Sequence, residues 1–207
     1  LYSKPRKGGV YAMEIKEGDQ LIQAKISNGE DSIIMATKEG KSIRFLETQV
    51  RPTGRRTKGV RGIMLADSDE VIGMLIAKRE GSVLVASENG YGKRSVLDEY
   101  RIQSRGGKGV YTMKKTHKTG NLISILEAID NDDLMIITTQ GVMIRQPVEN
   151  IRTIGRNTQG VRLLRLDDGA TISSVTKVIK DEVDEVDEDG KPNVDDVQET
   201  PPTTPTQ

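Results

Sequence analysis

The sequence predicts an all-β protein built from propeller-like repeats, each about fifty residues long. Two independent markers recur in step along the 207 residues. The dipeptide Gly-Val recurs at spacings of 50, 50 and 51, and a second glycine, which follows a short apolar run, keeps the same phase. Repeats of this length are typical of stacked or radial architectures rather than of one globular core. The markers are Gly9-Val10, Gly59-Val60, Gly109-Val110 and Gly160-Val161, and then Gly40, Gly90 and Gly141.

The second repeat shows the predicted strands most clearly. Polar turns separate four short segments that lack a helical period, at residues 59–65, 71–78, 82–87 and 91–96. The last two flank Asn89-Gly90, a pair that supplies the positive φ angles of a tight hairpin. We therefore expect the four strands of one repeat to form one antiparallel sheet, as in a propeller blade.

The other repeats follow the same plan, and the last one is incomplete. Turn residues recur at 28–29 and 39–40 in the first repeat and at 132–133 and 140–141 in the third. The inner strands SIIMAT, SVLVAS and LMIITT are nearly continuous apolar runs, which indicates that both of their faces are packed. The fourth repeat ends after segments 160–166 and 171–178. The sequence thus predicts roughly three and a half blades, fewer than a closed ring needs, with repeats near 9–50, 59–100, 109–150 and 160–178.

Charge is strongly segregated along the chain, although the formal net charge is zero. Residues 181–207 carry ten acidic residues and one lysine, which leaves 30 basic and 21 acidic residues in 1–180. We expect 1–180 to be a β domain with a polyanionic partner, and 181–207 to be a disordered acidic tail able to compete with that partner. The chain has no cysteine, which excludes disulfides and thiolate metal sites. No apolar run approaches the length of a membrane-spanning helix.

Basic loops between the repeats are the candidate binding elements. Aligned on Gly-Val, they read RPTGRRTKGV, RIQSRGGKGV and IRTIGRNTQGV, so that arginines and lysines fall in phase. Guanidinium groups match phosphate oxygens, and glycines expose backbone N–H groups. Aromatic residues are only 3% of the chain, which argues against base stacking and favours duplex DNA held by its backbone. The candidate DNA-binding residues are Arg55, Arg56, Lys58, Arg105, Gly106, Gly107, Lys108 and Arg156 in the loops, and Arg44, Lys93, Arg94 and Arg145 on the strands after each hairpin.

Several of these segments resemble the C-terminal domain of the DNA gyrase A subunit. The stretch QSRGGKG at 103–109 resembles the gyrase box, QRRGGKG, with serine in place of the first arginine. The phrases GRRTKGVRGI, ENGYGKRS and GRNTQGVRL are similar to the same domain. The resemblance covers residues 1 to about 178. It implies a β-pinwheel, a disc whose blades exchange strands, which wraps duplex DNA around a basic rim so that the parent enzyme introduces negative supercoils using ATP.

The resemblance also implies that DNA cleavage and ATP hydrolysis take place outside this chain. The DNA-cleaving tyrosine belongs to another domain, so this chain is expected to have no catalytic, cofactor-binding or metal-binding residue and not to be an enzyme by itself. ATP and Mg²⁺ are used elsewhere in the parent complex. The implied partners are double-stranded DNA, the remainder of the gyrase A subunit, and the gyrase B subunit, in a complex of two A and two B subunits. The implied location is the bacterial cytoplasm, with the nucleoid and no membrane.

Two alternatives remain open from the sequence. The related C-terminal domain of the topoisomerase IV A subunit has fewer and more degenerate blades. A protein-binding propeller scaffold, whose charges only solvate its surface, belongs to a different class and predicts no affinity for duplex DNA.

Overall fold

The computed structural model describes residues 7–78 and 81–179, and the predicted acidic tail 181–207 lies outside this range. Strands and short 3-10 helices form the secondary structure of the described residues, which confirms the all-β class. No helix in this part of the chain is long and apolar enough to span a membrane. The strands are β1 (Ser32–Thr37), β2 (Lys41–Leu46), β3 (Val71–Ala77), β4 (Ser82–Ser87), β5 (Tyr91–Val96), β6 (Val110–Tyr111), β7 (Leu122–Ala128), β8 (Asp133–Thr138), β9 (Met143–Pro147), β10 (Val161–Arg162) and β11 (Ile172–Val178). The 3-10 helices are Glu47–Gln49, Leu97–Glu99 and Val148–Asn150.

The strands form three antiparallel sheets, with orders β3-β1-β2-β6, β10-β5-β4-β7 and β11-β8-β9. Each sheet is built around one hairpin and takes further strands from later repeats. In the first sheet, β3 pairs with β1 in a register that sets Leu75 opposite Ile34, and β6 pairs with the start of β2. The β-pinwheel class, with strands exchanged between blades, is therefore confirmed. The expectation that the four strands of one repeat form one sheet is wrong. The succession of apolar segments and polar turns in the sequence defines where each strand lies, but not which strand it pairs with.

The inner strand β4 of the second sheet is packed on both faces. In β4, Val83 and Val85 join a core with residues of the first sheet, while Leu84 and Ala86 join a second core with residues of the third sheet. Burying one such side chain stabilises the fold by about 1.5–3 kcal/mol. The sheet orders place β1, β4 and β8 each between two other strands, which confirms that the continuous apolar runs are inner strands.

The hairpin turns differ from the expected type. Asn89 has a negative φ, and only Gly90 is left-handed, with φ +82° and its N–H donating to Ser87 O at 3.2 Å. The loop is therefore a three-residue turn that ends in a left-handed glycine. Glycine is required here for a second reason, since a Cβ at this position would lie 2.6 Å from Leu164 O.

The segments that follow Gly109-Val110 and Gly160-Val161 cross over the hairpin turns of the first and second sheets, at Gly40 and Gly90. Leu163 N and Leu164 N both donate to Gly90 O, at 2.8 and 3.3 Å. Because these segments run across the sheet, little of their length can join a ladder. The predicted strand 59–65 is absent, and the predicted strand 160–166 is reduced to β10.

Candidate nucleic-acid interface

The three basic loops occupy equivalent positions on successive repeats. In each case a backbone N–H five residues after the Gly of Gly-Val donates to a carbonyl in the next basic loop, at 2.9–3.1 Å. These bonds place each loop over the segment that follows the preceding Gly-Val. The pairs are Glu14 N to Thr57 O, Met64 N to Gly107 O, and Lys114 N to Thr158 O.

The second loop carries Arg105, whose side chain is directed at the protein. Its Nε donates to Gln49 O at 3.0 Å and its Nη1 to Arg61 O at 2.6 Å. Gly106, with φ +80°, donates its N–H to Gly62 O at 2.7 Å, and Gly107 donates to Ser104 O at 3.3 Å. In this conformation both N–H groups have acceptors within the protein, so a contact of either with phosphate would require its internal hydrogen bond to break. Lys108 is exposed.

The third loop repeats this arrangement around Arg156. Its Nη1 donates to Tyr111 O at 2.7 Å, and its backbone N–H donates to Glu99 Oε2 at 2.7 Å. The guanidinium also lies over the ring of Tyr100, 5.8 Å from its centre. The Arg156 side chain is thus held between two earlier segments of the chain.

The first loop is the most open of the three. Arg55 is exposed, and its side chain has no hydrogen-bond or ionic partner in residues 7–78 and 81–179. Arg56 occupies the position equivalent to Gly106 and shares its left-handed backbone, with φ 60°, while its guanidinium lies 5.3 Å from the centre of the Tyr11 ring. Lys58 is exposed and lies 3.5 Å from a carboxylate oxygen of Glu14.

The second row of predicted cations is largely internal. Lys93 is fully buried, and its Nζ donates to Gly155 O, Arg156 O and, at 3.1 Å, Thr158 Oγ1. Burial lowers the pKa of Lys93 from 10.5 to about 8; nearby Glu99 opposes this shift and Arg156 adds to it. The prediction that this row lies on an exposed rim is therefore wrong for Lys93, because the ammonium serves as a donor to the third loop.

The other strand cations also bind neighbours within the protein. Arg94 is 7% exposed, donates from Nε to Ile151 O at 2.7 Å and pairs with Asp130. Burial thus removes Arg94 as well from the predicted exposed row. Arg44 donates to Leu97 O and Tyr100 O, both at 3.2 Å. Arg145 is half exposed and donates to Asp133 Oδ2 at 2.6 Å.

A third row of arginines, which the sequence analysis did not single out, begins each basic loop. We call Arg51, Arg101 and Arg152 the exposed arginine row, because all three are exposed and recur at spacings of 50 and 51. Their side chains have no ionic partner among the described residues. Gln103 N donates to Arg44 O, and Ile154 N donates to Arg94 O, both at 2.8 Å, so Arg101 and Arg152 flank equivalent strands. The in-phase spacing was the signal that could have identified them.

Comparison with known proteins places the chain among DNA gyrase domains. A family model described as the DNA gyrase C-terminal domain, beta-propeller, matches residues 31–78, 81–126 and 132–179. The A subunit of DNA gyrase from Halalkalibacterium halodurans is 53% identical over 182 residues, or 87% of this chain and 22% of the relative. The corresponding protein of Clostridium acetobutylicum is 46% identical over 88% of this chain and 22% of the relative. The chain therefore spans about a fifth of the length of these relatives.

Solved structures agree with the sequence comparisons. The structure of a DNA gyrase A C-terminal domain superposes with a TM-score of 0.76 at 28% identity, covering 84% of this chain and 59% of that one. The C-terminal domain of a DNA topoisomerase IV superposes with a TM-score of 0.80 at 24% identity, covering 86% and 56%. The second likeness, at this identity, is one of fold alone.

Proposed function

Since the chain belongs to the family of DNA gyrase C-terminal domains, we propose that it binds and wraps duplex DNA as part of a gyrase A subunit. The observation that carries the proposal is the exposed arginine row, in which Arg51, Arg101 and Arg152 repeat without intramolecular ionic partners among the described residues. The exposed loop residues Arg55, Lys58 and Lys108 extend this positive surface. Cations repeated at each blade favour a ligand whose negative charges also repeat.

Backbone contacts are sufficient for this kind of binding. Each phosphate neutralised by a lysine or arginine releases counterions and contributes about 0.9 to the slope of log affinity against log salt. Bending 20–30 base pairs costs on the order of 1–6 kcal/mol, which several phosphate contacts can offset. Wrapping along a row of equivalent cations therefore needs no reading of base sequence.

The proposed wrap would serve a larger enzyme. The parent would be an ATP-dependent type IIA topoisomerase in the bacterial cytoplasm, composed of two A and two B subunits. In that assembly this chain would supply the DNA path, whereas cleavage of DNA and hydrolysis of ATP would take place in other domains.

Topoisomerase IV is the second candidate for the parent enzyme, because its C-terminal domain has a closely similar fold. Two observations favour gyrase. The relatives with 46% and 53% identity are gyrase subunits, and RGGKG at 105–109 keeps most of the gyrase box. An intact box upstream of Leu1 in the parent gene would decide for gyrase.

A topology-trapping assay tests the proposal. Relaxed circular plasmid is incubated with the chain, treated with a type I topoisomerase and deproteinised, and its linking number is then measured. The double variant Arg101→Gln/Arg152→Gln is compared with the control Lys25→Gln/Lys78→Gln. The control removes the same charge at two exposed lysines that line a surface cleft outside the exposed arginine row. We expect the wild type and the lysine control to shift the linking number, and the arginine variant to shift it much less.

Each other outcome of this assay has a defined meaning. Binding of DNA without any shift would show that these blades hold DNA but do not wrap it. The absence of binding at low salt would contradict the DNA proposal and favour a protein-binding scaffold. Equal loss in the two double variants would mean that total charge, rather than the exposed arginine row, determines binding.

A further inference from the structure

The arginines at the centre of the second and third basic loops donate to backbone carbonyls of earlier repeats. We propose that Arg105 and Arg156 are positioning residues, each clamping its loop to the protein so that neighbouring cations face DNA. The clamp itself concerns the protein alone, and its effect on DNA rests on the proposed function. In these loops, direct phosphate contact then falls mainly to Lys108 and to Arg101 and Arg152.

The contacts of Arg105 define the clamp. Its Nε and Nη1 reach two carbonyls, Gln49 O and Arg61 O, that lie 12 residues apart in the chain. Its backbone N–H donates to the side chain of the same glutamine, at 2.7 Å from Oε1. A planar guanidinium can serve two divergent acceptors at once, whereas an ammonium acts as a point charge on a flexible stem. The loop is thereby tied to both a 3-10 helix and the segment after Gly59.

Arg156 repeats the Nη1 and backbone N–H contacts of the clamp with different neighbours, whereas its Nε has no hydrogen-bond partner among the described residues. Its Nη1 donates to Tyr111 O, the residue equivalent to Arg61, and its backbone N–H donates to Glu99, the residue equivalent to Gln49. The ring of Tyr100 lies against the guanidinium. Two loops of unlike sequence therefore use the same arginine for the same two attachments.

Arg55 provides the internal contrast. It falls at the same phase of the repeat, but its side chain is exposed and has no hydrogen-bond partner in the described part of the chain. A shared position in the sequence thus covers two roles. Arg55 is available to phosphate, whereas the donors of Arg105 and Arg156 are directed at the protein.

Conservative and non-conservative substitutions distinguish clamping from phosphate contact. We compare Arg105→Lys and Arg105→Met with the matched pair Arg55→Lys and Arg55→Met, all in the full chain. Amide exchange without DNA is followed by NMR at Gly106 and Met64, whose N–H groups bond across the clamped loop. Affinity for a labelled duplex of about 40 base pairs is then measured over a range of salt concentrations.

The clamp predicts that lysine fails to replace Arg105. Both Arg105 variants should exchange these two amides about tenfold faster and should bind DNA equally weakly. Both Arg55 variants should keep wild-type exchange, and Arg55→Lys should bind DNA more tightly than Arg55→Met, because lysine still contacts phosphate. Lys108→Gln should keep wild-type exchange and lower the salt slope by about 0.9.

The opposite results would overturn the proposal. Wild-type exchange and wild-type DNA affinity in Arg105→Lys would show that charge alone matters at this position. Faster exchange with unchanged DNA affinity in both Arg105 variants would establish a clamp that positions nothing for DNA. If even the wild type fails to bind DNA, the proposed function fails, while the exchange data still decide whether the clamp exists. Arg156→Lys, monitored at the Lys114 amide, repeats the test if the Arg105 variants do not fold.

Discussion

At the scale of single residues, cations of this protein divide into those that hold the chain together and those that face solvent. Lys93 and Arg94 are buried and donate to carbonyls more than fifty residues away in the chain. Arg101 and Arg152 are exposed and have no ionic partner in the described residues. Only the second group can exchange counterions for phosphate without breaking an internal contact.

Each arginine of the exposed arginine row should make a separate, measurable contribution to the salt dependence of DNA binding. Arg101→Gln removes one free guanidinium, so the slope of log affinity against log salt should fall by about 0.9. Affinity should drop uniformly across duplex sequences, because phosphates carry no sequence information. Fluorescence anisotropy titrations over a range of salt concentrations measure both quantities. An unchanged slope would exclude Arg101 from the interface.

Lys93 should make stability depend on pH. Its pKa is about 8 in the folded protein and 10.5 ordinarily, so between these values the unfolded chain binds more protons. The free energy of unfolding should therefore rise from pH 8 to 10.5, by on the order of 1–2 kcal/mol after allowance for screening by solvent. Lys93→Met removes this contribution, and the difference between the two urea-unfolding curves across pH isolates it. If the difference in free energy of unfolding between wild type and Lys93→Met does not change with pH, the lowered pKa of Lys93 is contradicted.

Sequence period predicted which residues are equivalent but not which are buried. Arg94 and Arg145 occupy the same phase, yet Arg94 is 7% exposed while Arg145 is half exposed. The partners of Lys93 lie 62 to 65 residues further along the chain, where no local pattern refers to them. The candidate loops could thus be predicted from sequence, whereas the division of roles among their cations could not.

At the scale of secondary-structure elements, close passage of the chain over each hairpin determines where glycine is needed. Gly160 has φ +78°, and a Cβ there would lie 2.6 Å from Gly92 O in β5. Gly169 has nearly the same φ, +77°, but nothing lies within 4 Å of the equivalent Cβ position. Comparing the same substitution at the two glycines therefore separates the cost of backbone strain from the cost of steric contact.

We expect Gly160→Ala to destabilise the protein more than Gly169→Ala. A left-handed non-glycine residue costs about 1–2 kcal/mol at either site. Gly160→Ala should lose about 1–3 kcal/mol more, because the backbone of β5 must move to admit the methyl group. Urea unfolding of the two variants gives the comparison. Equal losses would mean that the approach to β5 is looser than the structure shows.

Inner strands were the elements that sequence predicted best. The segment 82–87 is strand β4 as predicted, because a continuous apolar run bounded by turns leaves few alternatives. The segment 91–96 is strand β5 as predicted, because Asn89-Gly90 joins it to β4 in a tight hairpin. The segment 59–65 has similar composition but forms no strand, since its hydrogen bonds go to the second basic loop, at Gly106 and Gly107, and not to a neighbouring strand. The composition of a segment thus predicts that it is extended, but not whether another strand lies beside it to form a ladder.

At the scale of the whole molecule, exchanged strands connect the three sheets into one structure. The pairing of β4 with β7 joins the second repeat to the third, and that of β8 with β11 joins the third to the fourth. The two larger of the three apolar clusters in the described residues contain residues from more than one sheet. We therefore expect the described residues to unfold as one cooperative unit.

A cavity in the third sheet should consequently weaken the first. Ile136 in β8 is fully buried, so Ile136→Ala should cost about 2–5 kcal/mol. Native-state amide exchange in β1 should accelerate by the amount that corresponds to the same free energy. Ile102→Ala, at a half-exposed position, serves as the control and should change exchange little. Unchanged exchange in β1 of the Ile136 variant would show that the blades unfold separately.

The pairing of β2 with β6 also bears on how the protein is made. The first sheet is complete only when Tyr111 has been synthesised, about 65 residues after β2 ends at Leu46. At about 5–20 residues per second, the ribosome needs roughly 3–13 s for that stretch. During this interval the nascent hairpin has an unpaired edge, so each blade waits for the translation of a later repeat before it can close.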